Sequence, residues 1–346
     1  MPRGRCRDDD RPDGRRPHVR RIRTKSRRCG PRRGEDTDGL CGADCRSTFN
    51  RKRGYEVNTV ISTLFSGLTL GGLYALVGLG LVLIYRATGV FNFAHGQLML
   101  FAAYLVGYWT SNGWGNVAAI FASLAVVAVI GMGSHLAFLR RTIGRPEFMA
   151  VIAALGLATV LDGVMGIAFG STQYTLHFPG TGDGTVDILG STMSGRSIVI
   201  FVFSVVLIAV VAAVLRFTTV GVRLRAAGQA PLLTSQAGIN ISRYYLVAWA
   251  IGAALAGVAG VVYGSVYVAN PAMVAIVFST LPAIFLGGLD SVPGALVGGL
   301  TIGILQNFAA VYLGGEVSVL VVYLILIGVL VVRPHGLFGT PEIVKV

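Results

Sequence analysis

The sequence predicts an all-α fold, a polytopic transmembrane helix bundle of eight to nine spans with broken or re-entrant segments. Hydrophobic residues make up 53% of the chain and charged residues only 13%, with a mean hydropathy of +0.69. The charge is unevenly placed: residues 1–53 hold 18 of the 29 Lys and Arg and 8 of the 16 Asp and Glu, leaving 19 charges for the other 293 residues. From Glu56 onward the chain breaks into uncharged stretches of the ~20 residues a helix needs to cross a hydrocarbon core. Such stretches fold as helices because lipid offers the backbone no hydrogen-bond partner.

In chain order, a first span is expected near 58–85, ending at Arg86. The next stretch, 90–110, is apolar but opens with Asn92, His95 and Gln97, so it is either a full passage or partly re-entrant. Spans near 116–139 and 148–170 flank Arg140, Arg141 and Arg145, and the second of them contains Asp162, an acid at membrane depth. Residues 171–196 read as a Gly- and Thr-rich loop with Asp183, Asp187 and Arg196. A span near 197–215 leads to a polar island, 216–243, with four arginines and no acid. Spans follow near 244–264, 273–289, 294–313 and 317–332, the last marginal at 16 residues. Asn270-Pro271 marks one turn, and Gly287, Gly288, Asp290, Pro293 and Gly294 mark another.

Basic residues favour cytoplasmic loops. This rule places Arg140, Arg141 and Arg145, the island, and Arg333 with Lys345 in the cytoplasm, and 171–196 outside. If 90–110 crosses fully, the first span begins outside and carries the basic tail there. The alternatives are eight crossings with a cytoplasmic tail, or translation starting near Val57. Residues 1–56 are accordingly expected to be a basic, disordered or misassigned tail, and residues 57–346 the membrane domain. The tail's composition cannot support a packed core and does not make the chain a nucleic-acid binder. All four cysteines (Cys6, Cys29, Cys41, Cys45) lie there, and His18 has no companion at metal-site spacing.

Glycine pairs four apart, Gly67/Gly71, Gly260/Gly264, Gly294/Gly298 and Gly299/Gly303, predict close helix crossings. Within the island, Pro231 suits the first turn of a short helix and Gly238 its C-terminal cap. That helix is expected at the cytoplasmic face, where the island either docks a partner or serves as a linker whose arginines set topology. Asn92, His95, Gln97 and Asp162 are candidates for lining a path or gate, because polar groups at membrane depth face the bundle interior or water. For Asn92 and His95 the alternative is structural pairing where the helix begins. No Walker-type loop, zinc-spaced cluster or nucleophile elbow occurs, so no catalytic, cofactor or metal residues are expected.

Four blocks then point to a family. They are GLTLGGLYALVGLGLVLIYRATGVFNFAHGQLMLFAAY (67–104), GVRLRAAGQAPLLTSQAGINISRYYLVAWAIGAALAGVAGVVYG (221–264), FLGGLDSVPGALVGG (285–299) and RPHGLFG (333–339). The chain resembles the membrane permease subunits of branched-chain amino acid importers of the ATP-binding-cassette type, specifically the first of their two paired permeases. The resemblance implies a second homologous permease, two cytoplasmic ATP-binding subunits and an extracytoplasmic substrate-binding protein. It implies a location in the cell membrane, surrounded by lipid, and ATP hydrolysis in separate chains. Urea and short-amide importers have closely similar permeases. The island then corresponds to the segment on which an ATPase rests, with Arg223, Arg225, Ala226, Gly228, Pro231, Leu232, Gly238 and Asn240 as coupling residues. Asp290 departs from the family's turn, which more often has a small neutral residue. A stand-alone secondary transporter would need paired intramembrane ionisable groups, and here there are only Asp162 and two histidines.

Overall fold

Helix α1 runs Leu40–Thr88, and its stretch from Asn58 is the first membrane passage. The computed structural model describes residues 40–137, 141, 147–181, 184–188, 191–334 and 336–339. Residues 1–39, with Cys6, His18 and Cys29, therefore lie outside the described residues, as do the side chains of Cys41 and Cys45 and residues Arg140, Arg145, Asp183 and Lys345. Backbone contacts group Lys52–Val346 as one unit, separate from Met1–Arg51. The helix bundle is the former.

After α1 come α2 (His95–Ser111), α3 (Asn116–Ala137), α4 (Glu147–Phe169) and α5 (Gly195–Phe217). Two short helices, α6 (Thr219–Gln229) and α7 (Pro231–Gln236), precede α8 (Ile241–Val266). A 3₁₀ turn at Pro271–Ala275 leads into α9 (Ile276–Gly287), and α10 (Val292–Leu313) and α11 (Gly315–Val332) close the bundle. Among the described residues, seven helices are long and apolar enough to cross a membrane. Helix α2, of 17 residues, and the apolar segment Pro271–Gly287 are shorter.

Contacts between helix ends set the sides. At one face, Gly228 in α6 lies against the last carbonyls of α1, and the chain after α11 pairs with the end of α9 through Leu337 N–H to the Leu286 carbonyl at 2.8 Å. At the other face, Tyr174 pairs with Ala269, N–H to carbonyl at 3.1 Å, and its ring covers Gly107 near the end of α2. Among the described residues, the end of α2 thus lies at the face opposite the end of α1, as a full passage of 90–110 requires. Arg86 and the arginines of the island gather at the first of these faces, the one the charge bias predicts to be cytoplasmic.

Residues 171–196, expected to be a loop, contain a small antiparallel hairpin, β1 (Thr185–Ile188) with β2 (Ser191–Ser194), in which Thr185 faces Ser194. Strands this short give no distinguishable apolar periodicity, and their β-branched Thr185, Val186 and Ile188 are lost in a Gly- and Thr-rich stretch.

The passage of α1 is 89% buried and that of α8 67%, whereas α5 and α11 are each 17% buried. So α1 and α8 form the centre, and the outer helices present residues such as Val206, Val210, Leu320 and Leu324. All four glycine pairs sit at crossings. Gly67, Gly71, Gly299 and Gly303 bring α1 against α10, Gly294 and Gly298 bring α10 against α9, and Gly260 meets the Met99 backbone of α2 while Gly264 meets the Leu176 side chain.

Candidate functional site

The island folds as α6 and α7, one helix more than its proline and glycine announced. The signal for α6 was present: Thr218 accepts the Gly221 N–H at 3.3 Å as an N-cap, and Gly221, Leu224 and Ala227, three apart, form the buried side. Pro231 takes the first position of α7, where a missing N–H costs nothing. The Thr234 hydroxyl donates to the Ala226 carbonyl at 2.9 Å and folds α7 back onto α6. Gly238, with φ of 78°, closes α7: its N–H meets the Ser235 carbonyl at 3.0 Å and the Ile239 N–H meets the Thr234 carbonyl at 3.3 Å. Asn240 then caps α8 by accepting the Arg243 N–H at 3.3 Å.

The inner side of this helix pair is held by the bundle. Gly228 abuts the carbonyls of Arg86 and Ala87 so closely that no Cβ would fit. Tyr245 of α8 donates its hydroxyl to the Ala227 carbonyl at 3.3 Å. Arg86 lies within electrostatic reach of Arg225 on α6 and of Asp290 in the turn between α9 and α10. The end of α1, the helix pair and that turn therefore meet at one place.

Two of the island's four arginines bond to their own chain. Arg223 donates to the Tyr244 hydroxyl at 2.9 Å, and Arg225 to the Arg216 carbonyl at 3.4 Å. On α7, Leu232 is 71% exposed and Leu233 65%, an apolar pair beside the exposed Ser235 and Gln236.

The four candidate path residues do not form one group. Asn92 and His95 are fully buried at the start of α2. The Asn92 side-chain oxygen accepts the Ala94 N–H at 3.1 Å in the turn just before the helix. The His95 ring rests on Gly80 and faces the Val77 carbonyl of α1. Gln97, half-buried, follows on α2, its side-chain oxygen enclosed without a hydrogen-bond partner among the described residues. Asp162 lies apart, exposed on α4.

A second polar group, unforeseen from the sequence, lies deeper. Tyr74 of α1 donates to the Gln306 side-chain oxygen of α10 at 2.8 Å, with Ser279, Tyr263 and Tyr267 around it. Only Gln306, a polar residue in an apolar span, signalled it. Toward the outer face, a cavity of about 190 Å³ opens between α1 and α5, lined by Ser62, Ser66, Thr69, Ser197 and Phe201 among others.

Residues 63–330 match the family described as the permease component of branched-chain amino acid transport systems. The chain belongs to this permease family. It is 31% identical over 300 residues to the high-affinity branched-chain amino acid transport system permease protein LivH of Escherichia coli, covering 83% of this chain and 97% of that protein. To the corresponding protein BraD of Pseudomonas aeruginosa it is 30% identical over 307 residues, covering 84% and 99%. A probable LivH of Methanocaldococcus jannaschii is 30% identical over 300 residues, covering 80% and 91%.

In this permease the Tyr74–Gln306 bond joins the buried α1 to α10 at membrane depth. Hydrogen bonds between membrane helices average about 0.6 kcal/mol and reach about 1.7. Tyr74→Phe removes the bond and keeps the ring, so a loss of about 1 kcal/mol is expected. Thermal unfolding of purified protein would show it as a Tm lowered by a few degrees, and an unchanged Tm would mean that the bond contributes nothing.

Proposed function

We propose that this permease is the membrane-spanning subunit of an ATP-binding-cassette importer that carries leucine, isoleucine and valine into the cell. ATP is hydrolysed by two cytoplasmic partner chains, a second homologous permease completes the membrane unit, and an extracytoplasmic binding protein delivers the substrate. The observation that supports this most is the α6–α7 pair. It presents two exposed leucines to the cytoplasm while Gly228 rests on the end of α1. A displacement of α7 by an ATPase would pass to α6, whose Gly228 lies against α1, and from α1 through the glycine crossing to α10. Rigid tilting of tightly packed helices is a known way to alternate access. The names of LivH and BraD support the substrate class.

The test is uptake in a deletion strain supplied with the permease and its neighbouring transport genes. Uptake of labelled leucine, isoleucine and valine is expected, and it should fall to background when any one component is omitted. Flux that persists without ATP, or uptake of urea without the amino acids, would overturn the reading.

A further inference from the structure

Between α8 and α9 the chain leaves the α-helical path, and this break reaches into the membrane. Helix α9 packs along α10 with Gly287 against Gly294 and Ala283 against Gly298, so the two run antiparallel. The 12 residues of α9 rise about 18 Å and the 22 of α10 about 33 Å, at about 1.5 Å per residue. The start of α9 at Ile276 is therefore well short of the outer end of α10. From Ala269 at the outer face the chain descends to it through an extended Asn270 and the 3₁₀ turn Pro271–Ala275.

Lipid heavily penalises unpaired backbone groups, so broken helices at membrane depth line a water-filled path or are covered by protein. Here Pro271, Ala272 and Ala275 are exposed. The N–H groups of Val268 and Asn270 take no backbone partner among the described residues, and the Asn270 side-chain oxygen has no hydrogen bond there. Polar side chains from three helices surround the break. Tyr263 and Tyr267 of α8 and its end lie ring to ring at 5.0 Å, with Tyr267 45% exposed. Ser279 of α9 and Gln306 of α10 are half-buried, and Gln306 stands seven residues before Leu313, about 10 Å inside the end of α10. The Gln306 oxygen accepts from Tyr74, which leaves its amide nitrogen, neither enclosed nor bonded among the described residues, free to donate. These groups suit a zwitterion: amide and hydroxyl for a carboxylate, and tyrosine faces for an ammonium. Val268 and Phe278, both exposed, suit an aliphatic side chain. Neutral contacts also suit a passage, which a substrate must leave as readily as it enters.

We propose that this break is a contact site for the amino acid in transit, with Gln306 and Ser279 holding its carboxylate and the rings of Tyr263 and Tyr267 its ammonium. This rests on the reading of the permease as an importer of leucine, isoleucine and valine. Tyr74 is a positioning residue, since it holds the Gln306 oxygen and leaves the amide nitrogen to the substrate.

The test uses the complete transporter in membranes, with the four native cysteines replaced by serine. Ala272→Cys and Ala275→Cys are expected to react with a membrane-impermeant thiol reagent added from outside, and to react more slowly when leucine and the binding protein are present. The lipid-facing controls should stay unlabelled: Val206→Cys, at an exposed position of α5, and Gly163→Cys on α4, where an added Cβ meets nothing within 4 Å. Gln306→Leu removes a hydrogen bond to a charged group and should lower leucine uptake about tenfold or more, at unchanged membrane level. Ser279→Ala should lower it less. Tyr74→Phe breaks the same bond but keeps the Gln306 amide, so its loss of uptake should be smaller than that of Gln306→Leu. If Gln306→Leu does not reach the membrane, slower labelling of Ala275→Cys by leucine decides alone. Break cysteines no more reactive than the controls, labelling that leucine does not slow, or equal uptake losses for Tyr74→Phe and Gln306→Leu would overturn the inference while leaving the importer intact. An unsubstituted transporter that carries none of the three amino acids would instead remove the reading of its substrate, and this inference with it.

Discussion

Gly303→Leu is expected to leave almost no folded permease in the membrane, whereas Gly163→Leu should accumulate normally. At the α1–α10 crossing, a Cβ on Gly303 would meet the backbone of Gly71. A Cβ on Gly71 would stand 2.8 Å from the Leu300 Cα and 3.0 Å from the Gly299 carbonyl oxygen. These neighbours are backbone atoms and cannot rotate away, so a leucine must push the helices apart. Overpacking costs about 1–3 kcal/mol even where side chains can shift, and more where they cannot. Water does not press membrane helices together, so no apolar burial elsewhere offsets their separation here. Parting the helices also strains the Tyr74–Gln306 bond at 2.8 Å and the bond from the Asn307 amide to the Thr63 carbonyl at 2.7 Å. A loss above about 3 kcal/mol follows, a large share of a typical stability. Membrane abundance and Tm should be highest for the unsubstituted protein, lower for Gly303→Ala and lowest for Gly303→Leu. Equal Tm for all three would show that the crossing yields.

Much of this architecture was legible because lipid reduces the choice to helices. The long uncharged runs became helices whose ends differ from the expected ones by only a few residues, and the glycine pairs became crossings. The stretch 90–110 stayed ambiguous because its polar opening can mark either a broken helix or a start. Its far end resolves it: Gly107 lies under the Tyr174 ring, at the face opposite the end of α1. Helix α6 was hidden because arginines at 223 and 225 draw attention to charge, while its buried spacing of Gly221, Leu224 and Ala227 is short. Asp162 was grouped with Asn92, His95 and Gln97 only by chemistry, and its place on α4, away from the start of α2, separates it from them. The Tyr74–Gln306 pair was invisible, since its members stand 232 positions apart and no local pattern connects them.

The proposed coupling surface carries the second large effect. Replacing Leu232 and Leu233 together by alanine is expected to weaken ATPase binding by about a hundredfold, as two interface anchors worth over 1 kcal/mol each would require. Aspartates at both positions should abolish ATP-driven uptake. Because these side chains are 71% and 65% exposed, their loss leaves the fold of the subunit alone, and membrane levels should match the unsubstituted protein. Arg223→Ala provides the contrast. Its guanidinium is engaged with the Tyr244 hydroxyl of the same chain at 2.9 Å, and an exposed bond of this kind contributes about 1 kcal/mol or less. Its removal should therefore change ATPase affinity less than about fivefold. Co-purification of the ATPase, measured beside uptake, separates the two. If Arg223→Ala releases the ATPase while the double alanine variant retains it, charge rather than the apolar face of α7 makes the contact. The expected order follows from where the atoms point: Arg223 and Arg225 turn back onto α8 and α5, and the leucines of α7 are left exposed.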